Sequence, residues 1–64
     1  MRTEFLVISK PTLEHARNQL VEHGYDAACG NTYRGPIIAV EHPRSELERV
    51  EQIVHSVDPE ALRY

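Results

Sequence analysis

Sixty-four residues, ten acidic and seven basic side chains, a formal charge of −3 and a single cysteine describe one small domain. The lone Cys29 excludes an internally stapled secreted scaffold, and the acidic balance argues against phosphate-driven nucleic-acid binding, which needs a basic face. A hydrophobic content of 41% suits a folded chain, yet a domain this short buries only about 60% of its unfolded surface and often leans on a metal or a partner subunit.

In chain order, the first element is a strand over Thr3–Ser9, with Phe5, Val7 and Ser9 on one face and Glu4, Leu6 and Ile8 on the other. Lys10-Pro11-Thr12 turns the chain; Pro11 suits a first helical position and Thr12 an N-cap, and the sequence leaves both open. Leu13, Ala16, Leu20 and Val21 then fall at helical spacing. Gly24 ends that helix, and His23 beside it complements its last carbonyls.

Tyr25–Cys29 reads as a second strand, weakly apolar and therefore at an edge. Gly30–Gly35 is the main loop and joins it as a hairpin to a third strand, Pro36–Glu41. His42-Pro43-Arg44 breaks that strand. Ser45 with Glu48 has the spacing of a capping box, and Leu47, Val50, Ile53, Val54 and Val57 make the apolar stripe of a second helix. Asp58-Pro59 stops it, and the tail to Tyr64 carries a short fourth strand.

The order β-α-β-β-α-β with right-handed crossovers predicts a ferredoxin-like α+β sandwich, one antiparallel sheet with two helices on one face. Its strand order is four-one-three-two, which makes the first and third strands central. Those are the two continuously apolar runs, Phe5–Ile8 and Ile37–Val40, as a strand walled in on both sides should be.

Two helices cover only one face of such a sheet. Phe5, Val7, Ile37 and Ala39 are therefore expected on the other, with Tyr33 and Arg34 at the rim. An apolar patch of this kind marks an interface. The expected function is protein–protein contact, as a homodimer or with a larger partner. The plainer alternative is that Tyr25, Tyr33 and the C-terminal tail fold over the face. One version of the contact class is an acidic inhibitor that presents Glu46, Glu48 and Glu51 from the second helix to a host machine. The runner-up is a small-ligand sensor using the loop Asn31–Gly35, where Tyr33 can stack and Arg34 can pair an anion.

Other chemistry finds little support. His15 and His23 differ by eight positions, roughly 80° around a helix, His42 and His55 lie at opposite ends of the second helical region, and no paired Cys or His motif exists. No metal or cofactor is expected. Cys29 lacks the neighbouring base that would activate a nucleophile, and the RNA-binding signature this fold can carry is absent. The expectation is a non-enzyme. Apolar runs reach only four residues, far below the ~20 that span a membrane, and no signal-peptide core is present, so a cytoplasmic location is expected.

Residues 33–64 also resemble a known family. The run Pro36-Ile37-Ile38-Ala39-Val40, the helix start Arg44-Ser45-Glu46-Leu47, the pair Ile53-Val54 and the ending Val57-Asp58-Pro59-Glu60-Ala61 are similar to the small cytosolic C-terminal domain of YitT-type bacterial membrane proteins. That family's glycine-rich turn is matched loosely by Gly30-Asn31-Thr32-Tyr33, and its membrane segments have no counterpart. The resemblance implies a ferredoxin-like regulatory domain with a genuine fourth strand at 61–64, and it carries no catalytic residues over.

Overall fold

In the computed structural model, which describes all 64 residues, the two apolar runs lie side by side. Strand β1 (Arg2–Val7) pairs antiparallel with β3 (Gly35–His42), placing Phe5 opposite Ala39 and Val7 opposite Ile37. The weaker strand β2 (Asp26–Thr32) pairs with the other side of β3. The tail forms β4, only Leu62–Arg63, against β1. The sheet order is β2-β3-β1-β4, the ferredoxin-like order expected from the chain. Helix α1 (Lys10–Glu22) links β1 to β2, and helix α2 (Leu47–Val57) links β3 to β4.

Strict alternation sorts the two central strands. Leu6, Ile8, Ile38 and Val40 face the helices and meet Ala16, Leu20, Val50, Ile53 and Val54 in one core, closed at the tail by Ala61. Residues between them face the other way. The helix stripes bury Leu20 and Val54 fully, but Val21, expected in the first stripe, is 50% exposed because the core faces the Ala16–Leu20 side of the helix. α1 ends where Gly24 takes φ +91°, a left-handed conformation that costs glycine little. His23 Nδ1 lies 2.8 Å from the Gln19 carbonyl, so its ring N–H donates to a last-turn carbonyl that also accepts the His23 backbone N–H.

The second helix starts differently from the capping box read in the sequence. Arg44–Glu46 form a 3-10 turn after Pro43, and no side-chain bond caps α2. The turn takes up the residues a Ser45 cap would need in extended form. Glu46 is used elsewhere: its Oε1 accepts from the Tyr25 hydroxyl at 2.5 Å, fastening β2 to the start of α2.

A polar clasp joins the two helix ends. Asp58, buried just after α2, accepts from the Ser9 N–H at 3.0 Å, the Ser9 hydroxyl at 2.7 Å and the Thr12 hydroxyl at 3.1 Å through Oδ2. Its Oδ1 accepts from the Glu60 N–H at 3.0 Å. Ser9 is thus the N-cap residue of α1, but its hydroxyl serves the clasp rather than its own helix. These donors, those of Ser9 first, hold the Asp58 carboxyl down at about 2 against an ordinary 3.8.

A carboxyl depressed by folding stabilises the native state above its unfolded value, and that contribution disappears as pH falls through the folded value. Asp58→Asn should therefore cost about 2 kcal/mol at pH 7, the scale of hydrogen bonds to a charged group. The gap from the parent protein should narrow as pH drops from 3.8 to about 2. Urea unfolding at pH 7 and at pH 3 measures both values.

Candidate functional site

Two regions of the fold concentrate groups that packing alone does not account for. The first is the open sheet face. Phe5, Val7, Ile37 and Ala39 lie together on it, as the alternation requires. β2 adds Ala28 opposite Ala39 and Gly30 opposite Ile37, and β4 adds Leu62 opposite Val7. The centre is half-covered: Val7, Ile37 and Ala39 are each partly buried. Phe5 remains 45% exposed and Leu62 69% exposed.

The tail supplies that partial cover. Tyr64 donates its N–H to the Phe5 carbonyl at 2.7 Å, which sets its ring on the open side, beside Phe5, Thr32 and Ile37. The Arg34 guanidinium lies 4.9 Å from the centre of the Tyr64 ring and 5.7 Å from that of Tyr33, and it donates to the Tyr64 carbonyl at 2.8 Å. The two tyrosine rings meet edge to face at 6.4 Å. Arg34 is thus occupied by the tail, and the loop expected over Asn31–Gly35 shrinks to the turn Tyr33–Arg34, because Asn31 and Thr32 pair with Pro36 and Gly35 in the sheet; that turn is a rim of the sheet face rather than a free anion cradle. Tyr25 faces the opposite side and packs against the core.

The second region lies beneath α2, where Glu4 and His42 occupy the same inward face as Leu6 and Val40. Their side chains are only 9% and 2% exposed, and Glu4 Oε1 stands 3.6 Å from His42 Nε2. That spacing is too long for a hydrogen bond. Glu4 Oε2 is 3.6 Å from Arg63 Nε. Arg63 itself is bonded to Glu51 through Nε and, at 3.1 Å, through a terminal guanidinium nitrogen. His42 Nδ1 is 2.8 Å from the Pro43 carbonyl, so Nδ1 carries the proton and, in the neutral ring, Nε2 is the acceptor. Both Glu4 oxygens and His42 Nε2 are buried without a hydrogen-bond partner.

Burial first, then the adjoining Glu51 carboxylate, push the Glu4 carboxyl up to about 7, with Arg63 pulling weakly the other way. Glu51 moves oppositely, to about 2, chiefly because Arg63 donates to it.

The glutamates of the second helix therefore have separate fates. Glu46 is bonded by Tyr25 and Glu51 by Arg63, while Glu48 is exposed to solvent. Cys29 is exposed on the outer strand, and no three His, Cys, Asp or Glu side chains cluster closely enough to hold a metal ion. No helix is long and apolar enough to cross a membrane. Glu4, His42, Arg63, Leu62 and Tyr64 are the site residues sequence reasoning passed over. The available signal was parity: a charged residue at an inward position, two before Leu6, and a histidine two after Val40. No known protein family, curated protein or solved structure matches the chain.

The pair Glu4–Glu51 has a definite pH signature. A carboxyl raised by folding takes up its proton preferentially in the native state, so stability declines as pH rises from 4.5 to about 7. The depressed Glu51 acts in the opposite sense, below 4.5. Glu4→Gln, which keeps the shape without the charge, should raise the melting temperature at pH 8 and leave it nearly unchanged at pH 4.5. Thermal unfolding across that range checks it; equal effects at both pH values would show that Glu4 does not change its protonation between them.

Proposed function

We propose that the protein is a non-enzymatic binding module that acts through its open sheet face, and that the face is covered by a second copy of the chain. The observation that supports this most is the composition of the exposed set: Phe5, Leu62, Tyr64, Tyr33 and Arg34 on one surface of so small a domain. Aromatic residues and arginine are the types enriched where protein interfaces concentrate their binding energy. At ~25 cal/mol per Å² of apolar surface, leaving Phe5 and Leu62 in water forfeits stabilisation that a partner would recover.

Charge argues for a second copy. Residues that share the parity of Ile37 and Ala39 end at Glu41, which lies opposite Asp26 at one end of the face, while Arg34 stands at the other end, beside the start of β3. Asp26 and Glu41 have no ion-pair partner within the chain, and Arg34, bonded to the Tyr64 backbone oxygen through one guanidinium nitrogen, meets no acidic side chain. A two-fold axis lying in the interface and crossing the strands sets Arg34 of each copy over the acidic end of the other. The resemblance of residues 33–64 to a cytosolic regulatory domain is consistent with a binding role. The inhibitor version has less support, because only Glu48 of its three glutamates is left free.

Light scattering at increasing concentration tests the reading. The parent protein should approach twice its 7.3 kDa mass, and Leu62→Arg, at a residue outside the core, should stay monomeric. Arg34→Glu should weaken association about tenfold or more, and combining it with Glu41→Arg should restore it. A sharp monomer mass at high concentration would overturn the proposal.

A further inference from the structure

β4 is too short to cover the strand it pairs with. It meets β1 only at Leu6 and Val7, and Tyr64 adds one bond to Phe5. The edge of β1 from Arg2 to Glu4 is left without a neighbour on that side. A cleft of about 300 Å³ opens there, between the strand edge and the start of α2. This is the lower end of the size range of small-molecule pockets, ~300–1,000 Å³.

The cleft has three chemically distinct parts. Its floor holds Glu4 and His42, whose carboxylate oxygens and Nε2 are the buried polar atoms without partners. Native proteins pair nearly all such atoms, so the floor lacks a donor. The rim carries Arg2 and Arg44. Both are exposed, and neither takes part in an ion pair or side-chain hydrogen bond within the chain. The third arginine, Arg63, is committed to Glu51. Leu47 and Phe5 supply an apolar wall.

A ligand that satisfies all three parts presents N–H donors to the floor, an anion to the rim and a hydrocarbon to the wall. A lone anion leaves the Glu4 and His42 acceptors unmet, and a simple amine leaves Arg2 and Arg44 unused. A divalent ion finds only Glu4 and His42 side by side, since Glu51 is bonded to Arg63, and no three-ligand cluster exists. We propose that this cleft binds a free α-amino acid with an aliphatic side chain, its ammonium on Glu4 and His42 and its carboxylate between Arg2 and Arg44. An ammonium carries three donors and no acceptor, which matches an acceptor-only floor. A carboxylate matches the planar fork of a guanidinium.

The test is an NMR titration of the ¹⁵N-labelled protein with L-alanine, L-valine and L-leucine. At least one should move the amide signals of residues 2–5 and 42–47. For valine, isovalerate removes only the ammonium and isobutylamine only the carboxylate; each should bind about tenfold or more weakly, the effect of one charge-assisted contact. Glu4→Gln and Arg44→Ala should each weaken the amino acid by a similar factor. Arg44 is exposed and outside the core, so its variant reports on binding even where Glu4→Gln perturbs the fold. The proposal is overturned if no amino acid shifts these signals at millimolar concentration, or if isovalerate binds as well as valine, which would make the cleft an anion site only. It is also overturned if zinc chloride alone shifts them and the amino acids do not.

Discussion

Two helices can roof only one side of a four-stranded sheet, and the rest of this molecule follows from that limit. The roofed side takes Leu6, Ile8, Ile38 and Val40 into a single core with the helix stripes. The alternating residues of the same two strands are left on the other side with no element of the chain to cover them fully. Tyr64 is the one tail residue that reaches back across, and it is held there by the Phe5 carbonyl and by Arg34. Phe5 and Leu62 of this domain stay exposed all the same. Its apolar strands therefore make sense for a protein whose second face meets something else.

The strand order and the identity of the central strands were legible because both depend on local pattern. Continuous apolar runs mark strands buried on two sides, and the period of two then assigns each residue to a face without knowledge of the fold. That is why Phe5, Val7, Ile37 and Ala39 fall where the alternation puts them. The capping box was misread because local spacing was consistent with two starts for α2. Pro43 favours a tight 3-10 turn, and the bond from Tyr25 draws Glu46 away from the helix axis. That bond comes from a residue 21 positions distant, which no local pattern contains.

Glu4 shows the same boundary more sharply. Its parity with Leu6 and Ile8 placed it inward, but a strand end can turn a glutamate to water, and periodicity does not say where the roof stops. What buries it is α2 together with Arg63, 59 residues later in the chain, and their approach is a tertiary event. The Asp58 clasp is similar. Asp58-Pro59 reads locally as a helix stop, yet the carboxylate's donors are Ser9 and Thr12 at the far end of the sequence. In both cases the residue type was visible and the partner was not.

The last three residues connect the two candidate surfaces. Strand alternation sends Leu62 and Tyr64 to the open face and Arg63 to the helix side, where it neutralises Glu51 and approaches Glu4. One short strand thus supplies the exposed edge of the open sheet face and a wall of the buried carboxyl cluster. It is held to β1 by few bonds and carries no core side chain of its own, the condition under which a segment opens at low cost. A partner that grips Leu62 and Tyr64 would also hold Arg63 in place against Glu51, the carboxylate that, after burial, raises Glu4. The shortness of β4 exposes the edge of β1 and leaves Arg63 as the side chain that joins the strand bordering the open face to the Glu4–Glu51 pair.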